Sequence, residues 1–204
     1  MRLSKIAHIQ MRLRRNSHLN SYFKQEGRVY RLATDIDKLC NMADDTITHK
    51  KLVLDNCHIM AKYLFSKNKI ELATQLLRRG CDHDNSKIEP EEFKRLSQIL
   101  KSRKCFTDAK ESLSETERNA IKYHWEHNRH HPEYFENPSE EMTELDIIEM
   151  VCDWFARSLQ YDTEFIPFVI ERQANRFRFS DKKFKKILSY CELMERLYRG
   201  DKYE

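Results

Sequence analysis

His83 and Asp84 stand side by side in the stretch LLRRGCDHDNSK, residues 76–87, and four of the nine histidines crowd into HWEHNRHH, residues 124–131. Further along, Asp153 interrupts the apolar run MVCDWFA. A carboxylate in such a run is costly to bury unless it is paired or meets a cation. Imidazoles and carboxylates gathered on packed helices are the usual material of a divalent-metal site. Metal chemistry is therefore the first expectation these residues raise.

The elements that would position them are helices. In TITHKKLVLDNCHIMAKYLF, residues 46–65, apolar or small residues recur at 53, 57, 60 and 64, which is one stripe of an amphipathic helix. His49 lies four residues before Val53 and falls on that stripe, which makes it a candidate ligand; His58 turns to the opposite side and reads as a surface residue. A second helix is expected over 69–79, stopped by Gly80, so that His83 and Asp84 are delivered just past its end. Pro90, with Glu91 and Glu92 behind it, opens another helix after a turn.

Ser114 and Glu117 form a capping box ahead of SETERNAIKYHWEHN, whose helix should end before Pro132. His124 and His131 would share a face if that helix continued; His130 is a further candidate beside them, ahead of His127. Thr143 caps a strongly buried helix, TELDIIEMVCDWFARSLQY. On it Glu149 and Asp146 precede Asp153 by one and two turns. On one helix face with Asp153 those acids would hold a metal-bound water or orient a ligand imidazole; the alternative is that they stand as exposed ion-pairing groups. From 180 to 198, residues Phe184, Ile187, Leu188, Cys191, Met194 and Tyr198 mark a packing face. No period-two alternation is sustained, and with only 3 Gly and 4 Pro the tight turns of a sheet-rich fold are scarce, so the fold class is all-α.

The 204 residues suit a single-domain helical bundle with N- and C-terminal helical extensions. The divisions expected are a basic N-terminal helical extension over 1–45, a metal-binding helical core over 46–165, and a C-terminal helix over 166–204 that packs on the core. A hydrophobic content of 40% supplies a core, and 34% charged residues make a heavily ionised surface. No apolar run nears the ~20 residues that span a bilayer. A soluble, cytoplasmic protein without membrane contact is the expectation. The six cysteines include no CxxC pair and read as reduced, mostly buried thiols. Net charge is a mild +4, but residues 1–40 hold nine Lys/Arg against three Asp/Glu. A solvated basic arm explains this; a phosphate-rich partner or a targeting signal are the alternatives. Nucleic acid stays a possible partner without a binding motif to support it, and homo-oligomers stay open.

The run from His49 through Val53, Ala61 and Leu64, then Leu76-Leu77 ahead of His83-Asp84 with Lys87 three residues on, and the late Asp153, resembles the HD superfamily of metal-dependent phosphohydrolases. The segments HDNSKIEPEEF, HHPEYF and DIIEMVCDW further resemble an uncharacterised phage and bacterial subgroup of HD-like domains. The resemblance implies an HD-type bundle in which His49, His83, Asp84 and Asp153 ligate a metal and Lys87 reaches a substrate phosphate. His124, followed by His130-His131-Pro132-Glu133, is similar to the extra histidines of the HD-GYP phosphodiesterases, which bind a second ion. The glycines and tyrosine of that motif are absent, so its cyclic di-GMP substrate does not carry over.

The function these readings imply is hydrolysis of a phosphoester, on a nucleotide or another phosphorylated small molecule, by metal-activated water. One or two divalent ions, from Mn, Mg, Co, Ni, Zn and Fe, would be the cofactor. Asp84 would bridge two ions, with Lys87 and His124 stabilising phosphoryl charge and Glu149 and Glu92 supporting the ligands from behind. The alternatives are a di-iron HD-type oxygenase, which needs the same histidine-rich ligand set, and a non-catalytic nucleotide-binding module. Trp125 and Trp154 are expected to pack rather than stack on a base.

Overall fold

A computed structural model of the chain describes residues 28–96, 114–177 and 179–200. Most of the basic N-terminal stretch, and residues 97–113, with the rest of the helix expected from Pro90 and with Cys105, lie outside the described residues. The chain divides into two compact units, Met1–Asn41 and Met42–Glu204. The described part of the first is helical from Arg28 onward. The architecture is all-α, as the missing period-two pattern led us to expect, and no strand occurs among the described residues. No helix there is long and apolar enough to cross a membrane.

The long helix α1 (Arg28–Ser66) contains the predicted amphipathic segment and extends far upstream of it. Nothing in residues 28–45 stops a helix: they hold neither Gly nor Pro, and extending an existing helix fixes one residue per hydrogen bond gained. The forecast stripe is buried throughout, with Val53, Cys57 and Met60 at 0% exposure and Leu64 at 1%. Each such apolar side chain contributes about 1.5–3 kcal/mol relative to exposure. Asn56, on the same helix, donates from Nδ2 to the Cys152 carbonyl at 3.0 Å and so pins α1 to the central helix.

α2 (Ile70–Asp82) corrects one expectation: Gly80 does not end it. The helix runs two residues further, and Gly80 is buried within it. The glycine is needed for packing rather than for stopping. A Cβ at this position would lie 2.9 Å from Cys57 Cβ and 3.1 Å from its Sγ. The chain instead reverses at Asp84, a non-glycine residue at φ 54°, and enters a 3-10 turn over Asn85–Ile88.

α3 (Pro90–Leu96) and α4 (Glu115–His127) pack on each other. The Ser114/Glu117 capping box forms as read from the sequence. After α4 the chain makes a 3-10 turn at Pro132–Tyr134 and a one-turn helix, α5 (Pro138–Glu141). α6 (Glu144–Tyr161) is the central element, capped by Thr143 with Asp146 completing the box, and buried from Asp146 to Ala156. α2 packs on α6 from one side, and α8 (Asp181–Tyr198) packs on it from another. The predicted face of α8 does the packing in its middle, where Ile187, Cys191 and Met194 are at 0% exposure, while Tyr198 at its end is 51% exposed.

Between α6 and α8 lie α7 (Phe165–Arg172) and a π-helical turn, Gln173–Phe177. Periodicity gives no forecast of these, because α7 buries only Phe165 and Val169 and is too short to show a stripe. Of the described cysteines, all free, Cys57, Cys152 and Cys191 are buried while Cys40 and Cys81 are exposed.

The contact at Gly80 yields a test. Gly80→Ala should destabilise the protein by about 1–3 kcal/mol through overpacking against Cys57, read as a lower midpoint in chemical denaturation. An unchanged midpoint would show that the α1–α2 approach tolerates a methyl group.

Candidate metal centre

Four side chains from two helices and one turn converge within the second unit. His49 comes from the buried stripe of α1, His83 and Asp84 from the reversal after α2, and Asp153 from the middle of α6. His49 Nε2 lies 2.8 Å from Asp153 Oδ1 and 3.7 Å from Asp84 Oδ2. His83 Nε2 lies 3.6 Å from Asp84 Oδ2 and 3.8 Å from Asp153 Oδ1. Donors about 2.1 Å from a shared ion sit roughly 3–3.5 Å from one another, so this spacing fits a single divalent cation.

A second group meets the other oxygen of Asp84. His124 Nε2 is 3.4 Å and His130 Nε2 3.5 Å from Asp84 Oδ1. His131 Nε2 approaches His124 Nε2 to 3.0 Å. The helix carrying His124 stops at His127, so His131 does not reach it along a shared helical face. It swings back through the turn after Asn128, whose carbonyl accepts from the His131 amide at 3.0 Å. His124, His130 and His131 form one potential ligand set, His49, His83 and Asp153 a second, and His83, His130 and Glu149 a third that spans the two. His58 and His127 are exposed and belong to none of them.

Carboxylates behind the rings fix which nitrogen faces inward. His124 Nδ1 is 2.6 Å from Glu92 Oε1, and His83 Nδ1 is 3.1 Å from Glu149 Oε1. A proton on each Nδ1 donates to its carboxylate and leaves the Nε2 lone pair pointing into the site, which is the usual arrangement of a metal-binding histidine. Glu149 therefore orients an imidazole, as its place on the helix suggested. Asp146 does not join the site: it caps α6 and accepts from Arg79 and Arg129. Arg79 also contacts Glu149 at 2.5 Å, so a chain of charges runs from Asp146 through Arg79 and Glu149 to His83.

The ionisation states suit metal binding. Burial, then the charge of Arg157, brings the His49 imidazole down to about 3. Burial and neighbouring imidazoles hold His130 and His131 well below the usual range. Burial opposes ionisation of Asp84 and Asp153, but Lys87 and the surrounding imidazoles for the first, and His49 for the second, hold both carboxyls well below theirs. At neutral pH these rings are neutral and these carboxylates charged, which is the form that ligates. Burial likewise opposes a charge on His83, yet Asp84 and the bond to Glu149 raise its pKa, so metal binding there displaces a proton more readily held.

The fit to a cation is visible in the buried atoms. His83 Nε2, Asp84 Oδ1 and His130 Nε2 have no hydrogen-bond partner among the described residues. Buried polar atoms without partners are rare and ask for an explanation. Cations on the two sides of Asp84 would give all three a partner.

Several contributors carry no local sequence signal. Lys50 donates from Nζ to the His83 carbonyl at 2.6 Å and also to Asn85 Oδ1, holding the His-Asp reversal. Lys87, already singled out by its place after the His-Asp pair, has its Nζ 2.5 Å from Asp84 Oδ2. Asn128 donates to the His124 carbonyl at 2.8 Å. Arg176, on the π-turn, lies 3.6 Å over the Trp125 ring and donates to Glu133 at 2.6 Å. Trp154 stacks on Phe177 at 5.0 Å, so both tryptophans have packing partners.

If Glu149 sets the His83 tautomer, Glu149→Gln should weaken divalent-metal binding about 10–100-fold with helix content unchanged, measured by calorimetric titration with Mn(II) or Zn(II). Equal affinity in the variant would reduce Glu149 to a structural partner of Arg79.

Searches of curated proteins and of solved structures give no match. A family profile does match, over residues 39–195, a span that holds every candidate ligand named above. The chain belongs to DUF5662, a family of unknown function.

Proposed function

We propose that this protein is a metal-dependent phosphohydrolase of HD type, acting on a nucleotide or another phosphorylated small molecule. The observation that carries the reading is the division of Asp84: one oxygen faces His49 and His83, the other His124 and His130. A carboxylate placed between two imidazole groups is suited to bridge two divalent ions. The resemblance of the His49, His83-Asp84 and Asp153 pattern to the HD superfamily supports the same reading.

The bound ions would supply Lewis acidity, bringing the pKa of a water towards ~7 and polarising the phosphoryl oxygens. The chain's own residues have the remaining tasks. His49, His83, Asp84 and Asp153 hold the first position; His124, His130 and His131 complete the second. Glu149 and Glu92 keep two of the rings oriented. Lys87, beside Asp84, offers a charged donor to a phosphoryl oxygen. In the reaction, water oxygen bonds to phosphorus as it gives up a proton, the P–O ester bond breaks, and that proton ends on the leaving alkoxide.

The test is metal analysis of the purified chain, followed by a panel of phosphomonoesters, phosphodiesters and nucleotides with each metal found. Turnover of at least one phosphoester is expected, falling by a hundredfold or more in Asp84→Ala. Turnover unchanged in that variant would reject the site. Two irons whose absorbance changes on reduction, without phosphoester turnover, would turn the reading towards oxygen chemistry on the same ligands.

A further inference from the structure

Asp84 separates two donor sets of different chemistry. Each set holds two imidazoles and one Asp84 oxygen, and the fourth donor differs. On the Oδ2 side, with His49 and His83, it is a carboxylate: Asp153 Oδ1 lies 2.8 Å from His49 Nε2 and 3.8 Å from His83 Nε2. On the Oδ1 side, with His124 and His130, it is a third imidazole, His131, whose Nε2 lies 3.0 Å from His124 Nε2. Two carboxylates near this second set stand behind its rings: Glu92 meets Nδ1 of His124, and Glu149 faces Nδ1 of His130 at 3.6 Å. One position thus offers two nitrogens and two oxygens, the other three nitrogens and one oxygen.

The contact between His124 and His131 shows that the third ring belongs to the set. The His124 proton faces Glu92 from Nδ1, so its Nε2 presents a lone pair to His131 Nε2. Two ring nitrogens 3.0 Å apart need a proton or a cation between them, and the same spacing suits neighbouring ligands on one ion. Donor type then decides which ions a position favours. Imidazole nitrogen suits Zn(II), Fe(II) and Ni(II), whereas carboxylate and water oxygens suit Mn(II) and Mg(II). Charge points the same way. Two carboxylates neutralise a dication beside Asp153, while three neutral rings and a share of Asp84 leave one beside His131 with net positive charge.

We propose that the centre is built for two unlike ions: a nitrogen-preferring metal of the Zn(II), Fe(II) or Ni(II) kind held by His124, His130 and His131, and an oxygen-preferring Mn(II) or Mg(II) held by His49, His83 and Asp153, with Asp84 shared. The inference rests on the two-ion reading of Asp84 and deepens it by giving each position its class of metal. It does not depend on which reaction the ions support. The residue that sets the difference is His131, the counterpart of Asp153. Manganese supplied alone and in excess fills both positions, so the preference shows only when two metals compete.

The experiment gives the full chain, freed of metal, one equivalent of Zn(II) and saturating Mn(II). Zn(II) outcompetes Mn(II) at most nitrogen and oxygen sites, so the place taken by the single zinc reports the difference between the two positions rather than their absolute affinities. Anomalous diffraction at the zinc and manganese edges locates each metal, and zinc X-ray absorption counts the imidazoles around it in solution. Zinc should favour the His124, His130 and His131 position by about tenfold or more, with three imidazoles bound, while manganese fills the other. Zinc spread evenly over both positions, or gathered beside Asp153, overturns the proposal. His131→Asp gives the two positions the same donor types, and the preference should then fall away; a preference that survives unchanged contradicts the role given to His131. Should that variant not fold, the zinc distribution in the unaltered chain decides alone. If the unaltered chain holds a single ion whatever is supplied, the two-ion reading of Asp84 fails first, and this one with it. Two ions without a preference sink this proposal only, and phosphoester turnover, measured separately, still tests the wider reading.

Discussion

The site depends on one carboxylate held in an uncommon backbone conformation. Asp84 takes φ 54° and ψ 21°, a left-handed region that few side-chain-bearing residues adopt and that aspartate tolerates better than most. The conformation costs about 1–2 kcal/mol, and the surroundings hold it in place. Lys50 holds the carbonyl before it, the Lys87 amide donates to its own carbonyl at 3.1 Å, and Lys87 Nζ contacts its side chain. The result is that Asp84 turns away from α2 and places its two oxygens towards two different groups of imidazoles. A helix that simply continued through residue 84 would deliver neither.

Around that residue the fold arranges support at increasing distance. α6 supplies Asp153 directly and Glu149 one turn earlier, while Asp146, which completes its capping box with Thr143, anchors the arginine that steadies Glu149. Gly80 lets α2 come close enough to α1 for His83 and His49 to face the same point. The turn after α4 returns His130 and His131 to the site, and the Arg176–Glu133 pair ties that turn to the π-helical segment. Packing and chemistry thus share elements, and the charged residues that look dispersed along the chain form short relays between them.

Much of this was legible in the sequence, for identifiable reasons. The stripe at 53, 57, 60 and 64 fixed the inward face of α1 and with it His49. A carboxylate among apolar residues marked Asp153 as buried and partnered, and it is. Caps at Ser114 and Thr143 follow from local hydrogen bonding and formed as read. Gly80 was misread because a glycine near a helix end has two uses, and only the neighbouring helix decides between them. The roles of Lys50, Arg79 and Arg176 depend on contacts across long sequence separations, for which a single sequence carries no signal. His130 and His131 were visible as residues, but the turn that folds them back has no periodicity to betray it.

The central claim is that these side chains gather around cations with Asp84 shared between them. Anomalous diffraction from crystals grown with Mn(II), recorded at the manganese edge, addresses it directly. The account predicts two peaks about 3.5–4 Å apart, one within bonding distance of His49, His83 and Asp153, the other of His124 and at least one of His130 and His131, with an Asp84 oxygen on each. Well-diffracting crystals with no manganese within reach of Asp84 would contradict it.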